Sequence, residues 1–436
     1  MKNLNDWLAH LESLHPKGQA GIELGLDRIR LVKDALGQQQ HCPVIVVGGT
    51  NGKGSTCAYL ENIIDRAGYK VGCYTSPHLL DYNERVRLNG LAASDEAMCA
   101  AFARVESARQ AAGNVALTYF EFGTLAAWEV FAAAGVEAAI LEVGLGGRLD
   151  AVNAYEPDIS IVTTVALDHT DWLGKDRESI GFEKAGIYRA GKPAFCCDPQ
   201  PPQSLLDHAA SIGADLRLLG RDFGFERPSA ETNENRLQWR WWCRSGEKMI
   251  KRSLAYPGLR GPTQLYNASV ALAALEALID KLPVTMQAIR PGLIETELAG
   301  RFQVLPGKPA IVLDVGHNPQ AIKVLADNLS SMGFFNQTHA VLGMLNDKDI
   351  AGALPSLKGK VDCWHVATLE GLRGTTAEAL KMIIAAEQLG GDIFCYDTPQ
   401  AAMKAAKGRA GESDRILAFG SFLTVAGALT ALREKP

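Results

Sequence analysis

The chain has 436 residues, 47% of them hydrophobic and 21% charged, with a formal net charge of −5. This is the composition of a globular protein with ample core, long enough for two domains, and its acidic balance argues against nucleic acid as the main ligand. Nine scattered cysteines, with no C-x-x-C and an adjacent Cys196–Cys197 pair, suit reduced thiols in the cytoplasm.

At the N-terminus, Leu4, Trp7, Leu8, Leu11 and Leu14 predict an amphipathic helix without the unbroken apolar core of a signal peptide. A short apolar run from Pro43 to Val47 then leads into G-T-N-G-K-G-S-T, Gly49 to Thr56. A strand followed by a Gly-rich loop and a lysine is the layout of a phosphate-binding loop: backbone N–H groups close around phosphate oxygens and Lys53 adds a point charge. Cys57 to Ala67 has helical apolar spacing, so the loop sits at a helix N-terminus, where anions are favoured. The match to G-x-x-x-x-G-K-[ST] is imperfect. Val47 stands at the first glycine position and Gly54 follows the lysine, with Ser55 one place later, which weakens a generic GTPase or ATPase reading.

Strand-like runs at 43–48, 70–75, 138–144 and 158–165 alternate with helical segments, and five more fall at 310–315, 339–344, 361–367, 392–396 and 415–420. Such alternation predicts mostly parallel sheets covered by helices. The fold class expected is α/β: a P-loop-containing, mostly parallel N-terminal domain over 1–298, and a smaller Rossmann-like domain over 299–436. Leu237 to Arg244 and Lys248 to Tyr256, around Ser245-Gly246-Glu247, predict a small antiparallel element in the first domain. Pro291, Gly292, Gly300, Pro306, Gly307 and Pro309 place the linker between Thr285 and Lys308. The apolar stretch Phe122 to Leu145 is broken by Glu129, Glu137 and Glu142, so no membrane span is expected.

Ligands of open α/β sheets gather at the carboxyl ends of strands, and the chemistry-bearing motifs fall there. Y-T-S-P-H-L, Tyr74 to Leu79, offers Ser76 as a helix cap, a turn residue or a Mg²⁺ ligand. L-E-V-G-L-G-G-R-L-D-A, residues 141–151, sets Glu142 in an apolar strand, where a carboxylate needs a partner; a metal ion or Arg148 would serve. V-A-L-D-H-T-D-W-L-G, Val165 to Gly174, gathers Asp168, His169 and Asp171, which read as a helix start with Asp as cap, or, beside a nucleotide loop and Glu142, offer His169 as a second metal ligand. Lys184 lies in E-K-A-G-I on a helix, ordinarily a solvated position. Asn267 begins an Ala-rich helix in Y-N-A-S, while Arg301 in A-G-R-F-Q and Asp314 and His317 in I-V-L-D-V-G-H-N-P are second-domain candidates for a nucleotide site. Asn346-Asp347-Lys348-Asp349 resembles the base-reading N-K-x-D of nucleotide switches only in composition.

Taken together and in this order, these motifs resemble the folylpolyglutamate synthase family of the Mur ligase-like superfamily, and its bifunctional dihydrofolate synthase branch most closely. The resemblance implies an ATP-dependent ligase that joins L-glutamate to dihydropteroate and to reduced folates through an acyl phosphate. It implies that Asn51, Gly52, Lys53, Gly54, Ser55 and Thr56 hold ATP, with Asn267, Arg301 and Asp314 as further ATP contacts and His317 near the phosphates. It assigns two Mg²⁺ sites, one on Ser76 and Glu142, the other on His169 and a carbamylated Lys184, and casts Lys53, Lys184 and His317 as catalytic. Dihydropteroate would meet Leu24, Gly25, Leu26 and Asp27; Thr118, Tyr119, Phe120 and Glu121; and Leu149, Asp150 and Ala151. A cytoplasmic monomer with no nucleic-acid or membrane partner is expected. Cell-wall Mur ligases share the loop but carry a nucleotide-sugar domain ahead of it, for which the 48 residues before Gly49 are too few. A monofunctional polyglutamate synthase would share the ATP site and differ only in failing on dihydropteroate.

Overall fold

The computed structural model describes residues 3–15, 22–227 and 238–434. The chain separates into two compact units. One comprises Met1–Ala166, Leu173–Gly258 and Leu265–Thr296; the other comprises Leu167–Trp172, Leu259–Gln264 and Glu297–Pro436.

The first unit is built on eight strands: β1 (Val44–Gly48), β2 (Val71–Tyr74), β3 (Val86–Leu88), β4 (Leu91–Ala92), β5 (Ala138–Glu142), β6 (Ile159–Val162), β7 (Pro193–Cys196) and β8 (Asp215–Leu218). Their order is β4-β3-β2-β5-β1-β6-β7-β8. β3 and β4 are antiparallel additions to an otherwise parallel sheet. All five residues of β1 and of β5 are buried, as expected of strands covered on both faces. The register sets Val47 beside Glu142 and Gly48 beside Val162, so the segments leaving β1, β5 and β6 share one edge of the sheet. The N-terminal helix Leu4–Leu14 forms as its periodicity predicts, buries Leu4, Trp7 and Leu11, and is capped by Asn3, whose Oδ1 accepts the Asp6 N–H at 2.9 Å.

A separate antiparallel sheet contains β9 (Phe223–Glu226), β10 (Gln238–Ser245) and β11 (Lys248–Ala255). β10 and β11 are the expected hairpin, although Leu237 lies outside the described residues and Ser245 pairs with Lys248 instead of belonging to the turn. The two-residue connection starts on Gly246 at φ +59°, which suits a glycine at the first loop position. The boundary between the units at Thr296 and Glu297 falls within the segment read as a linker, Thr285 to Lys308, but that segment is more than a connection: it contains the helix Met286–Ile294, with Pro291 inside it, and a strand. Gly292 allows that helix to pack against the backbone of Ile63, since a Cβ there would come within 2.7 Å of the Ile63 side chain. Its Gly292 carbonyl, freed at the helix end, accepts from Asn62 Nδ2 at 3.0 Å.

The second unit is a six-stranded sheet of β12 (Gln303–Leu305), β13 (Ala310–Asp314), β14 (Thr338–Leu342), β15 (Cys363–Ala367), β16 (Asp392–Tyr396) and β17 (Arg415–Phe419). The order is β12-β13-β17-β14-β15-β16, parallel except for the antiparallel edge β12. Its core, including Val312, Leu325, Leu342, Trp364, Leu380 and Phe419, is built from different residues than the Phe102–Phe122–Trp128–Leu141 core of the first unit. Across β14, β15 and β16 runs a buried polar chain. His339 Nδ1 lies 3.3 Å from His365 Nε2, and His365 Nδ1 lies 3.1 Å from the Tyr396 hydroxyl. Asp414 Oδ2 is 3.7 Å from His339 Nε2.

Candidate active site

In the first unit, the loop after β1 turns on two glycines. Gly49 (φ +135°) and Gly52 (φ +93°) adopt backbone that side chains rarely tolerate. A Cβ on Gly52 would fall 2.5 Å from Asn267 Oδ1, so the expected ATP residue Asn267, itself buried on the helix Gln264–Ala277, packs directly on the loop. Gly52 caps the helix Lys53–Arg66, whose first-turn N–H groups therefore face the loop. Lys53 curls back, its Nζ donating to the carbonyls of Gly49 (3.1 Å) and Thr50 (3.3 Å). Ser55 and Thr56 are buried in the first turn.

Two hydroxyls that sequence reasoning passed over hold this loop in shape. Thr163 Oγ1 donates to the Asn51 carbonyl at 2.7 Å, and Thr164 Oγ1 accepts the Asn51 N–H at 3.1 Å. Thr50 completes the seam: its N–H donates to Thr164 O at 2.7 Å, and its hydroxyl accepts from the Ala166 N–H at 3.0 Å. The only signal in the sequence was a pair of threonines near the end of the strand-like run 158–165, and the strand itself stops at Val162.

Glu142 ends β5 and is buried, and its Oε2 accepts the Ser76 N–H at 3.1 Å. Ser76 and Glu142, on separate elements, are thus brought together. Arg148, the alternative partner for Glu142, instead pairs with Glu183 at 2.7 Å. The oxygen donors of Ser76 and Glu142 are the hard type that Mg²⁺ prefers. Lys184 departs from the solvated position expected of a helix lysine: it is only 4% exposed. Burial costs a charged ammonium its hydration, and a carbamate on that nitrogen would turn it into an anionic oxygen ligand.

The three segments expected to meet dihydropteroate converge. Gly25 donates its N–H to the Leu149 carbonyl at 3.3 Å, joining the first segment to the third. Phe120 lies against the Gly-rich turn, since a Cβ on Gly144 would meet its ring at 2.7 Å. Thr118 and Glu121 form a reciprocal capping box at the start of the helix Tyr119–Ala134, which sequence reading did not separate from ligand binding. Asp150 is buried, and its two carboxylate oxygens accept from the N–H groups of Leu145 (2.8 Å) and Val152 (3.1 Å). Burial pushes its carboxyl up to about 7, against the backbone donors and the Lys53 charge that pull it down.

In the second unit, Asp168 is the hub. Lys348 Nζ meets its Oδ1 at 2.7 Å, and His317 Nε2 lies 3.6 Å and Asn318 Nδ2 3.5 Å from its Oδ2. Burial alone would raise the Asp168 carboxyl. The close approach of His317 and the charges of His169 and Lys348 outweigh that and hold it well below the usual carboxylate range. His169 adopts φ +52°, a conformation rare outside glycine, with its Nε2 3.4 Å from Lys348 Nζ. Lys348 is a buried member of this cluster that the sequence signalled only as a compositional lookalike of N-K-x-D. Asp314 accepts from the N–H groups of Phe302 (2.9 Å) and Gly316 (2.7 Å), and the Arg301 guanidinium lies 5.1 Å from the Phe422 ring centre.

A lysine-led helix behind a Gly-rich loop in one unit, and a mostly parallel sheet in the other, belong to a ligase of the Mur type, as the family models show. The model of the Mur ligase middle domain matches residues 47–275, and that of the Mur ligase glutamate ligase domain matches residues 300–422. The chain belongs to the dihydrofolate synthase/folylpolyglutamate synthase family. It is 45% identical to the Escherichia coli K12 protein of that name, over 97% of this chain and 94% of the relative, and 39% identical to the Haemophilus influenzae protein, over 97% and 96%. Among solved structures, E. coli FolC in complex with DHPP and ADP superimposes with a TM-score of 0.88 at 43% identity, covering 99% of this chain and 98% of that one. A bifunctional folylpolyglutamate synthase/dihydrofolate synthase with Mn, AMPPNP and L-glutamate bound gives 0.87 at 42% identity, covering 100% and 99%.

Proposed function

We propose that the protein is an ATP-dependent ligase that adds L-glutamate to dihydropteroate, giving dihydrofolate, and to tetrahydrofolate, giving polyglutamates. The observation that carries this reading is the register of β1 with β5, which brings Glu142 beside the strand that feeds the Gly-rich loop. In the reaction, a substrate carboxylate attacks the γ-phosphate of ATP, the bond to the β-phosphate breaks, and ADP leaves as the acyl phosphate forms. Lys53 and Arg301 neutralise charge developing on the transferred phosphoryl group, and His317 lies near the phosphates. The acyl phosphate is then attacked by the glutamate amine, releasing phosphate and forming the amide. Activation is needed because a free carboxylate is a poor electrophile.

Asn51 to Thr56, Asn267, Arg301 and Asp314 are proposed as ATP contacts. Ser76 and Glu142 would hold one Mg²⁺, and His169 with carbamylated Lys184 a second; bound there, the ions supply positive charge to phosphate oxygens. The pterin end of the substrate is assigned to Leu24–Asp27, Thr118–Glu121 and Leu149–Ala151. The proposal extends to a functional division at 1–298 and 299–436, and to a cytoplasmic monomer without nucleic-acid or membrane partners. Among the described residues no helix is long and apolar enough to cross a membrane.

The test is glutamate- and Mg²⁺-dependent ADP release with dihydropteroate and tetrahydrofolate supplied separately, and products identified by mass spectrometry. One glutamyl unit on dihydropteroate together with extension of tetrahydrofolate is the expected result. Activity on tetrahydrofolate alone would assign the chain to the monofunctional class, and silence on both would overturn the reading.

A further inference from the structure

Arg28 has no part in the chemistry above, yet it makes four polar contacts at the edge of the proposed pterin site. The stretch from Ile22 to Gly25 has no regular secondary structure, and the helix Asp27–Leu36 starts without a side-chain cap at Leu26. The guanidinium spans what the backbone leaves loose. Nη1 meets Glu23 Oε1 at 2.5 Å and Nη2 donates to the Glu23 carbonyl at 2.8 Å. On its other side, Nε donates to Glu121 Oε2 at 3.3 Å and Nη2 lies 3.1 Å from Glu121 Oε1. Glu121 is a fixed anchor: it is buried, and the Thr118 N–H donates to it at 2.8 Å. The residue before it, Phe120, packs on Gly144 at the head of the turn that carries Leu149–Ala151.

We propose that Arg28 is a positioning residue for the pteroate-class substrate, clasping Leu24–Asp27 to the start of the helix Tyr119–Ala134 so that the three proposed pterin-contact segments keep one spacing. This inference rests on the dihydropteroate assignment made above. Every nitrogen of the guanidinium is engaged within the protein, so Arg28 acts through the segments it joins. A planar fork can bridge a backbone carbonyl and two carboxylates at once, and a lysine ammonium in its place meets fewer of them.

The experiment measures KM for dihydropteroate and for ATP, with melting temperature, in the wild type, Arg28→Ala, Arg28→Lys and Glu121→Gln. Glutamine can keep the capping box while losing the ion pair, so this last variant guards against misfolding of Arg28→Ala. Expected is a rise of about tenfold or more in KM for dihydropteroate in Arg28→Ala with KM for ATP little changed, partial recovery in Arg28→Lys, and the same direction in Glu121→Gln. An unchanged KM for dihydropteroate against an active wild type overturns the inference alone. So does a parallel rise of both KM values with a fall in melting temperature, which marks a general packing role. A wild type that extends tetrahydrofolate but ignores dihydropteroate overturns the inference and the dihydropteroate assignment together.

Discussion

At Asp150, two backbone N–H groups hold a carboxylate in place while burial resists its charge, and burial wins: the carboxyl titrates near 7, well above its ordinary 3.8. The folded protein therefore keeps a proton that the unfolded chain releases near pH 4. The stabilisation this gives is complete below that pH and is lost as pH rises through 7, an effect on the order of a few kcal/mol. Asp150→Asn stays neutral throughout. Its melting temperature should lack the decline that the wild type shows between about pH 4 and 7, and parallel curves for the two proteins would contradict this account. The charge state of Asp150 could not be read from L-G-G-R-L-D-A, because it follows from how deeply the turn is packed. The same holds for Lys184, whose sequence context fits a solvated helix face and whose burial appears only once the helix Arg177–Ala185 is docked.

At the scale of elements, the carboxyl end of β6 shapes the neighbouring loop through hydroxyls. Thr163→Val keeps the branched shape and deletes the hydroxyl's bonds to the Asn51 and Gly48 carbonyls, which keep the Thr164 hydroxyl and the Thr163 N–H as their remaining donors. A loss of about 1–3 kcal/mol in stability is expected in denaturant titrations, with nucleotide binding weakened as the loop loosens. Binding equal to wild type would show that the loop keeps its shape without Thr163. The strands that the sequence made legible, β1, β2, β5, β6 and β13 to β17, are runs of mostly apolar, often β-branched residues bounded by glycine or polar clusters. β3, β4, β7, β8, β9 and β12 were passed over because they are two to four residues long and, unlike the equally short β2 and β6, lie at or next to a sheet edge; β8 carries Asp215 and Arg217 within its four. Edge and near-edge strands need less apolar surface, so periodicity says little about them. The proline- and glycine-rich stretch around Pro291 misled in the opposite sense. There Gly292 serves close packing against Ile63, and composition alone cannot distinguish that from a linker.

For the whole molecule, two cores drawn from different residues predict that heating resolves more than one cooperative transition. Acid should separate them further. Burial lowers His365 to about 4, with His339 and Arg409 adding to the effect, and burial lowers His339 despite Asp414 and Asp362. For groups depressed from 6.5, stability is present above that value and is lost as pH falls towards 4. Calorimetry between pH 7 and 4 should show one transition shifting down ahead of the other, and His365→Phe should reduce that shift. A shift unaltered in the variant would remove the histidine chain as its cause. Motif order and spacing made the family legible across both units, but this histidine chain was invisible, because it joins residues on three different strands.

The position of β1 bears on how the chain is made. This strand and its Gly-rich loop leave the ribosome early, but the strands that flank it, β5 and β6, come only after Ala138 and Ile159. Until Val162 and the threonines beyond it have been synthesised, the nascent chain holds the complete G-T-N-G-K-G-S-T motif on a strand with a bare edge. A product truncated before Ile159 would thus carry the whole phosphate-loop sequence without a phosphate site and expose an apolar strand for a chaperone to cover.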